Sequence, residues 1–260
     1  YYVSKETSLT EIDFPQSTTS CGYGFFHGFI EHLIQDHPDS TYVTQTCEYL
    51  RKQLSSTMRD IATICYHASG HGFLQSMGDR VTKNEWGNIP FMVTEPLINC
   101  EQFTNIAFAE MDNCREGIFN VLSDWMSAKN FGLIFDFQHP FRVCDELIEK
   151  WRQPCYTEFG QKLHPVTGDS PVAAAAFVKK IPDAKLRNIT FGVMVAGMMQ
   201  RESPLGNEVL VLEECKQITD LPLRNECVHS MTNGMMEHGS PGQEYKQALG
   251  VCKSLSDEAE

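Results

Sequence analysis

The sequence predicts an all-α fold: a solenoid or toroid of helical hairpins of about 35–45 residues, each stapled by one disulfide. Three observations carry this. First, one stretch occurs twice. Leu186-Arg187-Asn188, Gly197-Met198-Met199 and Ser203-Pro204 return as Leu223-Arg224-Asn225, Gly234-Met235-Met236 and Ser240-Pro241, at a constant offset of 37 residues, with Met194 falling on Met231. A period of 20–50 residues marks an array whose units bury their apolar faces only by stacking. Second, the cysteines fall in short-range pairs: Cys47 and Cys65 are 18 apart, Cys100 and Cys114 14, Cys144 and Cys155 11, and Cys215 and Cys227 12. Third, the second cysteine of each pair opens a small-residue helical stretch, as in Cys65-Tyr66-His67-Ala68-Ser69-Gly70-His71-Gly72 and Cys114-Arg115-Glu116-Gly117. Cys21-Gly22-Tyr23-Gly24-Phe25-Phe26-His27-Gly28 has the same character.

The repeat also argues for bonding within pairs. Shifted back by 37, Cys215 and Cys227 fall on Val178 and Thr190, so one copy lacks both cysteines together. The unit is then a hairpin in which helix A carries the first cysteine and helix B starts near the second. Each disulfide would stabilise its hairpin by about 2–4 kcal/mol. Glycines on helix B let neighbouring helices approach, at about 1 kcal/mol each relative to alanine.

Taken in order, residues 1–17 read as an extended arm, since Pro15 blocks an early helix. Thr18-Thr19-Ser20 can cap a helix from Cys21 to Asp36, apolar on most sides through Phe25, Phe26, Phe29, Ile30, Leu33 and Ile34. Residues 41–57 and 60–77 form the next hairpin. Residues 79–95 read as an insertion, followed by helices at about 96–109 and 112–128 and a packed loop from Phe131. Helices follow at about 141–151 and 154–163. The cysteine-free copy then starts at Ala173, with its helix B over 184–200. The next unit spans 206–238, and Gln243 to Leu255 supplies a further helix A carrying Cys252, 37 residues after Cys215. The array occupies 18–255 as a single domain, and 256–260 is an acidic tail that frays.

Cys21 and Cys252 are left over. They pair within one chain and close a toroid, or they pair between chains and build a head-to-tail ring or filament. Alternatively, they stay unpaired or bond elsewhere.

Ten cysteines, eight of them in short-range pairs, with no Cys-x-x-Cys motif point to an oxidising compartment, secreted or periplasmic. Tyr1-Tyr2-Val3-Ser4-Lys5 is not a secretion leader, so secretion would imply one already removed. Asn188-Ile189-Thr190 is a glycosylation acceptor pattern, usable only in a eukaryotic secretory route. The net charge of −13 argues against nucleic acid and anionic membranes as partners, and no run of 18 apolar residues exists to insert into a bilayer. Self-association or another protein is the expected partner.

The two-cysteine hairpin, with Gly70, Gly117 and Gly160 following the second cysteine, resembles the Sel1-like repeats of the Helicobacter cysteine-rich proteins. The resemblance covers residues 21–255. It differs in longer, more variable cysteine spacing and in lacking that family's tyrosine-glycine pattern. It implies a secreted α/α solenoid whose role is binding or interaction.

His67 and His71 lie at i and i+4 on one helical face, a spacing that can hold one metal ion. His-Ala-Ser-Gly-His lacks the glutamate of a His-Glu-x-x-His protease. His27 shares the repeat register of His71, and His229 that of His67, so the four can line one groove. The commoner role of such histidines is to bond buried backbone between helices. The repeated methionines can serve copper in an oxidising setting, but more often fill gaps beside glycines. No nucleophile elbow, phosphate loop or dinucleotide fingerprint occurs. Glu31, Glu110, Asp112, Glu116 and Glu158 are the carboxylates that an α/α-toroid hydrolase would use. The expectation is a non-enzymatic scaffold or binding protein that can self-assemble, with no catalytic residue and no required cofactor. The alternatives are a metal- or haem-binding protein using His27, His67, His71 and His229, and a toroid hydrolase.

Overall fold

A computed structural model describes residues 24–56, 60–103, 106–239 and 242–256. These residues form thirteen α-helices and two short 3-10 turns, with no strand among them. The N-terminal arm 1–17, Cys21 and the tail 257–260 lie outside the described residues. The chain divides into two compact units, residues 1–136 and 137–260, inside the range that the repeat reads as one array.

The first unit holds α1 (Gly24–Asp36), α2 (Ser40–Leu54), α3 (Ile61–Arg80), α4 (Ile89–Glu101) and α5 (Phe108–Ser127). Helix α3 is the centre, packed by α1, α2, α4 and α5. Two glycines on opposite sides of α3 explain how it accepts close neighbours. A Cβ on Gly72 would sit 2.7 Å from the Glu31 carbonyl of α1, and one on Gly70 would sit 2.0 Å from the Cys114 carbonyl of α5. Gly117 of α5 answers Gly70, its missing Cβ leaving room for the His67 carbonyl. Backbone meets backbone here, which only glycine permits. Cys47–Cys65 staples α2 to α3, and Cys100–Cys114 staples α4 to α5, with Cα atoms 5.5 and 5.8 Å apart.

Two expectations change in this unit. The segment 79–95 is not an insertion throughout. Asn88 accepts a hydrogen bond from the Phe91 amide at 3.1 Å and caps α4, with Pro90 in its first turn and Pro96 inside it. The helix expected at about 96–109 therefore starts at Ile89 and ends at Glu101, with Pro90 at the position where a missing amide hydrogen is harmless. Helix α1 is not buried all round: Ile30, Leu33 and Ile34 are buried, while Phe25 is exposed and stacks on Phe29.

The second unit holds α6 (Arg142–Asp145), α7 (Glu149–Gln161), α8 (His164–Thr167), α9 (Pro171–Val178), α10 (Ala184–Glu202), α11 (Glu208–Gln217), α12 (Leu221–His238) and α13 (Glu244–Ser256). Helix α7 starts five residues before Pro154, so the expected break at 151–154 falls inside it. Helix α10 packs between α7 and α12. Gly160 lies against Thr190 and Val193, and Gly234 against Met199 and the Ala196 carbonyl. Cys144–Cys155 and Cys215–Cys227 staple α6 to α7 and α11 to α12, with Cα atoms 5.5 and 5.7 Å apart.

The 37-residue period governs this unit down to its caps. Asp183 accepts from the Leu186 amide and Asp220 from the Leu223 amide, so α10 and α12 begin in the same register. Val178 and Thr190, which replace the cysteine pair, are both fully buried. Met194, Met198, Met199, Met231 and Met235 are buried core, and Met236 is exposed.

Candidate metal centre

Two helical stripes meet where α1 crosses α3. On α1, His27 and Glu31 are one turn apart. On α3, His67, His71 and Gln75 repeat at i, i+4 and i+8, a spacing that keeps them on one face. Gly72 lets α1 approach so closely that the two stripes share one space.

One ring nitrogen each of His27, His67 and His71 lies within 4.8 Å of the other two. The ring centroids are 4.4 Å apart for His27–His71, 4.9 Å for His67–His71 and 5.5 Å for His27–His67. His71 is buried, and His27 and His67 are partly buried.

The hydrogen bonds determine which nitrogen is offered. His71 Nδ1 lies 3.1 Å from Glu31 Oε2, and Gln75 Nε2 donates to Glu31 Oε1 at 2.5 Å. The His71 hydrogen bond, helped by that of Gln75, holds the Glu31 carboxyl below its usual range, so it is ionised. Nδ1 of His71 must therefore donate, so Nε2 is the ring nitrogen left to take a metal ion. That Nε2 is buried without a hydrogen-bond partner, and so is Nε2 of His27. Buried polar atoms are nearly always paired, so two unpartnered ring nitrogens in one cluster are a strong pointer to a ligand.

Burial keeps two of the rings, His27 and His67, neutral. Burial, reinforced by His71 and opposed by Glu31, lowers the His27 pKa to about 4. Burial, with His71 and His27 adding, lowers that of His67 to about 3. Both are free bases at neutral pH, the form that binds metal. A carboxylate oxygen of Glu116 on α5 also lies within 4.8 Å of a His67 ring nitrogen.

The fourth histidine named from the sequence is not a member of this cluster. His229 is on α12 in the second unit, exposed, with Nδ1 3.6 Å from Glu226. Asn188 lies within α10, and Thr190 of its acceptor triplet is fully buried, so the folded chain does not offer that triplet as a surface loop. Three of the carboxylates considered for hydrolysis are already engaged: Glu31 as above, Glu110 by Arg51 and Asp112 by Arg115. Cys252 on α13 is an exposed, free thiol. What the sequence reading missed is the pairing of Glu31 with the histidines. Its i+4 spacing from His27 was the available signal. No helix among the described residues is long and apolar enough to cross a membrane.

No family model, no curated protein and no solved structure matches this chain.

Proposed function

We propose that this is a disulfide-stapled, all-helical protein that binds one divalent transition-metal ion through His27, His67 and His71. The observation that carries this reading is the convergence of three imidazoles, two with buried, unpartnered Nε2 atoms, on one point. Glu31 completes the carboxylate–histidine–metal arrangement by orienting His71 from behind. Imidazole nitrogen suits zinc and copper(II). Tetrahedral zinc with bonds of about 2.0–2.1 Å needs its nitrogens about 3.3 Å apart, within reach of small ring rotations here. Three nitrogens on one point favour an ion over haem, whose two axial positions lie on opposite faces of the ring.

Binding rather than catalysis is the proposed role, since Glu31, Glu110 and Asp112 have neighbouring partners already. The four staples support an oxidising setting, secreted or periplasmic. The repeat of cap and core positions at 37 residues supports a hairpin array of the Sel1-like kind. A second reading, end-to-end self-association, is favoured by the exposed Cys252 thiol beside exposed Tyr245 and Leu249 on α13.

Elemental analysis of tag-free protein purified without chelator tests the main reading. One equivalent of zinc or copper per chain is expected, and after stripping, calorimetry should show one site refilled by zinc. Replacing His67 or His71 by Ala should abolish the site. A metal-free protein that takes up no added ion refutes the assignment.

A further inference from the structure

A second site lies in the first unit, at the far end of α3. A cavity of about 350 Å³ opens there, lined by Trp86, Trp125 and Phe131, with Asp79, Gln35 and Gln75 as its polar wall. The three rings form an angled enclosure. Trp86 and Phe131 stand edge-on at 90° with centroids 6.2 Å apart, and Trp125 is tilted 56° to Phe131 at 4.6 Å.

The chain builds this enclosure against its local preferences. Trp86 is followed by Gly87 at φ +78°, and Phe131 itself adopts φ +52°, ψ +28°, between Lys129 at φ +60° and Gly132 at φ +69°. Left-handed backbone at two non-glycine residues is uncommon, and such strain concentrates at ligand clamps. A hydrogen bond from the Gly87 amide to the Phe131 carbonyl at 2.9 Å ties the two loops together. Gly78 of α3 leaves the space that Trp125 fills, since a Cβ there would sit 2.6 Å from the indole.

The polar wall has a sign. Asp79 carries the one formal charge among the lining residues, and Gln35 Nε2 orients its carboxylate with a hydrogen bond of 2.7 Å. Aromatic faces attract cations, and tryptophan does so most strongly. The overall charge of −13 adds long-range attraction.

We infer that this cavity binds a small organic cation with an alkylated ammonium head, enclosed by Trp86, Trp125 and Phe131 and neutralised by Asp79. A hydrated metal ion would gain little from three aromatic walls, and a neutral apolar molecule would leave the Asp79 charge without a counter-charge in the cavity. A methylated ammonium has the low hydration and spread charge that both features suit. The assignment does not depend on the histidine centre, although Gln75 borders the cavity and also bonds Glu31.

Choline and its uncharged isostere 3,3-dimethylbutan-1-ol separate charge from shape. Both are titrated calorimetrically into the full-length protein, stripped of metal and zinc-loaded, with saturation-transfer NMR on the N-methyl protons. Choline should bind in both metal states, about tenfold more tightly than the isostere. Trp86→Ala and Asp79→Asn should each weaken choline by about tenfold. Trp86 is half-exposed and Asp79 is exposed, so both variants should fold, which circular dichroism checks. Equal binding of choline and isostere, no choline binding, or choline binding unchanged in Trp86→Ala overturns the proposal. Retention on phosphatidylcholine vesicles without response to free choline overturns the small-molecule assignment.

Discussion

At the scale of single residues, the centre rests on one proton. Glu31 holds the Nδ1 proton of His71, so Nε2 is the buried ring nitrogen left for a ligand. Glu31→Gln keeps the shape but loses the charge, and zinc affinity should fall by roughly 10–100-fold, as for other outer partners of ligating histidines. Calorimetry on stripped protein reads this directly. The same residues set a pH dependence for the metal-free chain. His27 and His67 titrate near 6.5 when unfolded but at about 4 and about 3 when folded. Between those values the unfolded chain binds more protons, so stability falls as pH drops below about 6.5 and keeps falling toward 4. Urea midpoints at pH 7 and 5 should show this loss, and His67→Gln should flatten it; an unchanged midpoint in the parent protein contradicts it. The imidazole pair on α3 was legible from its i, i+4 spacing, and the register argument added His27. The same argument also put His229 in the group; that residue is exposed on α12 of the second unit, beside Glu226, and the three-histidine cluster forms within the first unit.

At the scale of elements, glycine decides which helices touch. Gly117→Ala would put a Cβ 2.0 Å from the His67 carbonyl, and a helix backbone cannot yield locally. This change should destabilise the fold by about 2–3 kcal/mol or more and disturb zinc binding through α3. Gly197 of α10 has only the Arg201 side chain within 4 Å, at 3.9 Å, so Gly197→Ala should stabilise by about 0.5–1 kcal/mol. Thermal denaturation of the two variants distinguishes a packing glycine from a dispensable one. The repeat makes a second prediction. Val178 and Thr190 occupy the register of Cys215 and Cys227 and are buried alike, and the Thr190 hydroxyl is a buried atom without a partner. Val178→Cys combined with Thr190→Cys should form a fifth staple, seen as a 2 Da mass loss without reduction and a gain of about 2–3 kcal/mol. Two free thiols in that variant would show that the copies have diverged in backbone.

At the scale of the whole molecule, the division of the chain has a direct consequence. His27, His67, His71 and Glu31 all lie within residues 1–136, one of the two compact units. A fragment ending at Asp136 should therefore retain the zinc stoichiometry of the full chain, and residues 137–260 alone should bind none with comparable affinity. Metal should also appear as stability: at a free concentration 100 times its dissociation constant, zinc adds about 2.7 kcal/mol to unfolding. A melting temperature indifferent to saturating zinc would contradict a native-state site. Reduction of the four staples should lower the melting temperature of both units, because each holds two.

The sequence by itself determined the helical class, the hairpin unit, four of the cysteine pairs and the core role of five of the six repeated methionines. All of these follow from local spacing: a disulfide across a hairpin turn and a buried helical face are written within a few dozen residues. Tertiary structure decided the rest. It brought Glu31 to His71 across 40 positions and set Trp86, Trp125 and Phe131 along one cavity. Those contacts depend on how closely two helices cross and how a loop turns back. Gly72, where an added Cβ would sit 2.7 Å from the Glu31 carbonyl, and a residue held at positive φ set these distances, and neither leaves a periodic trace in the chain.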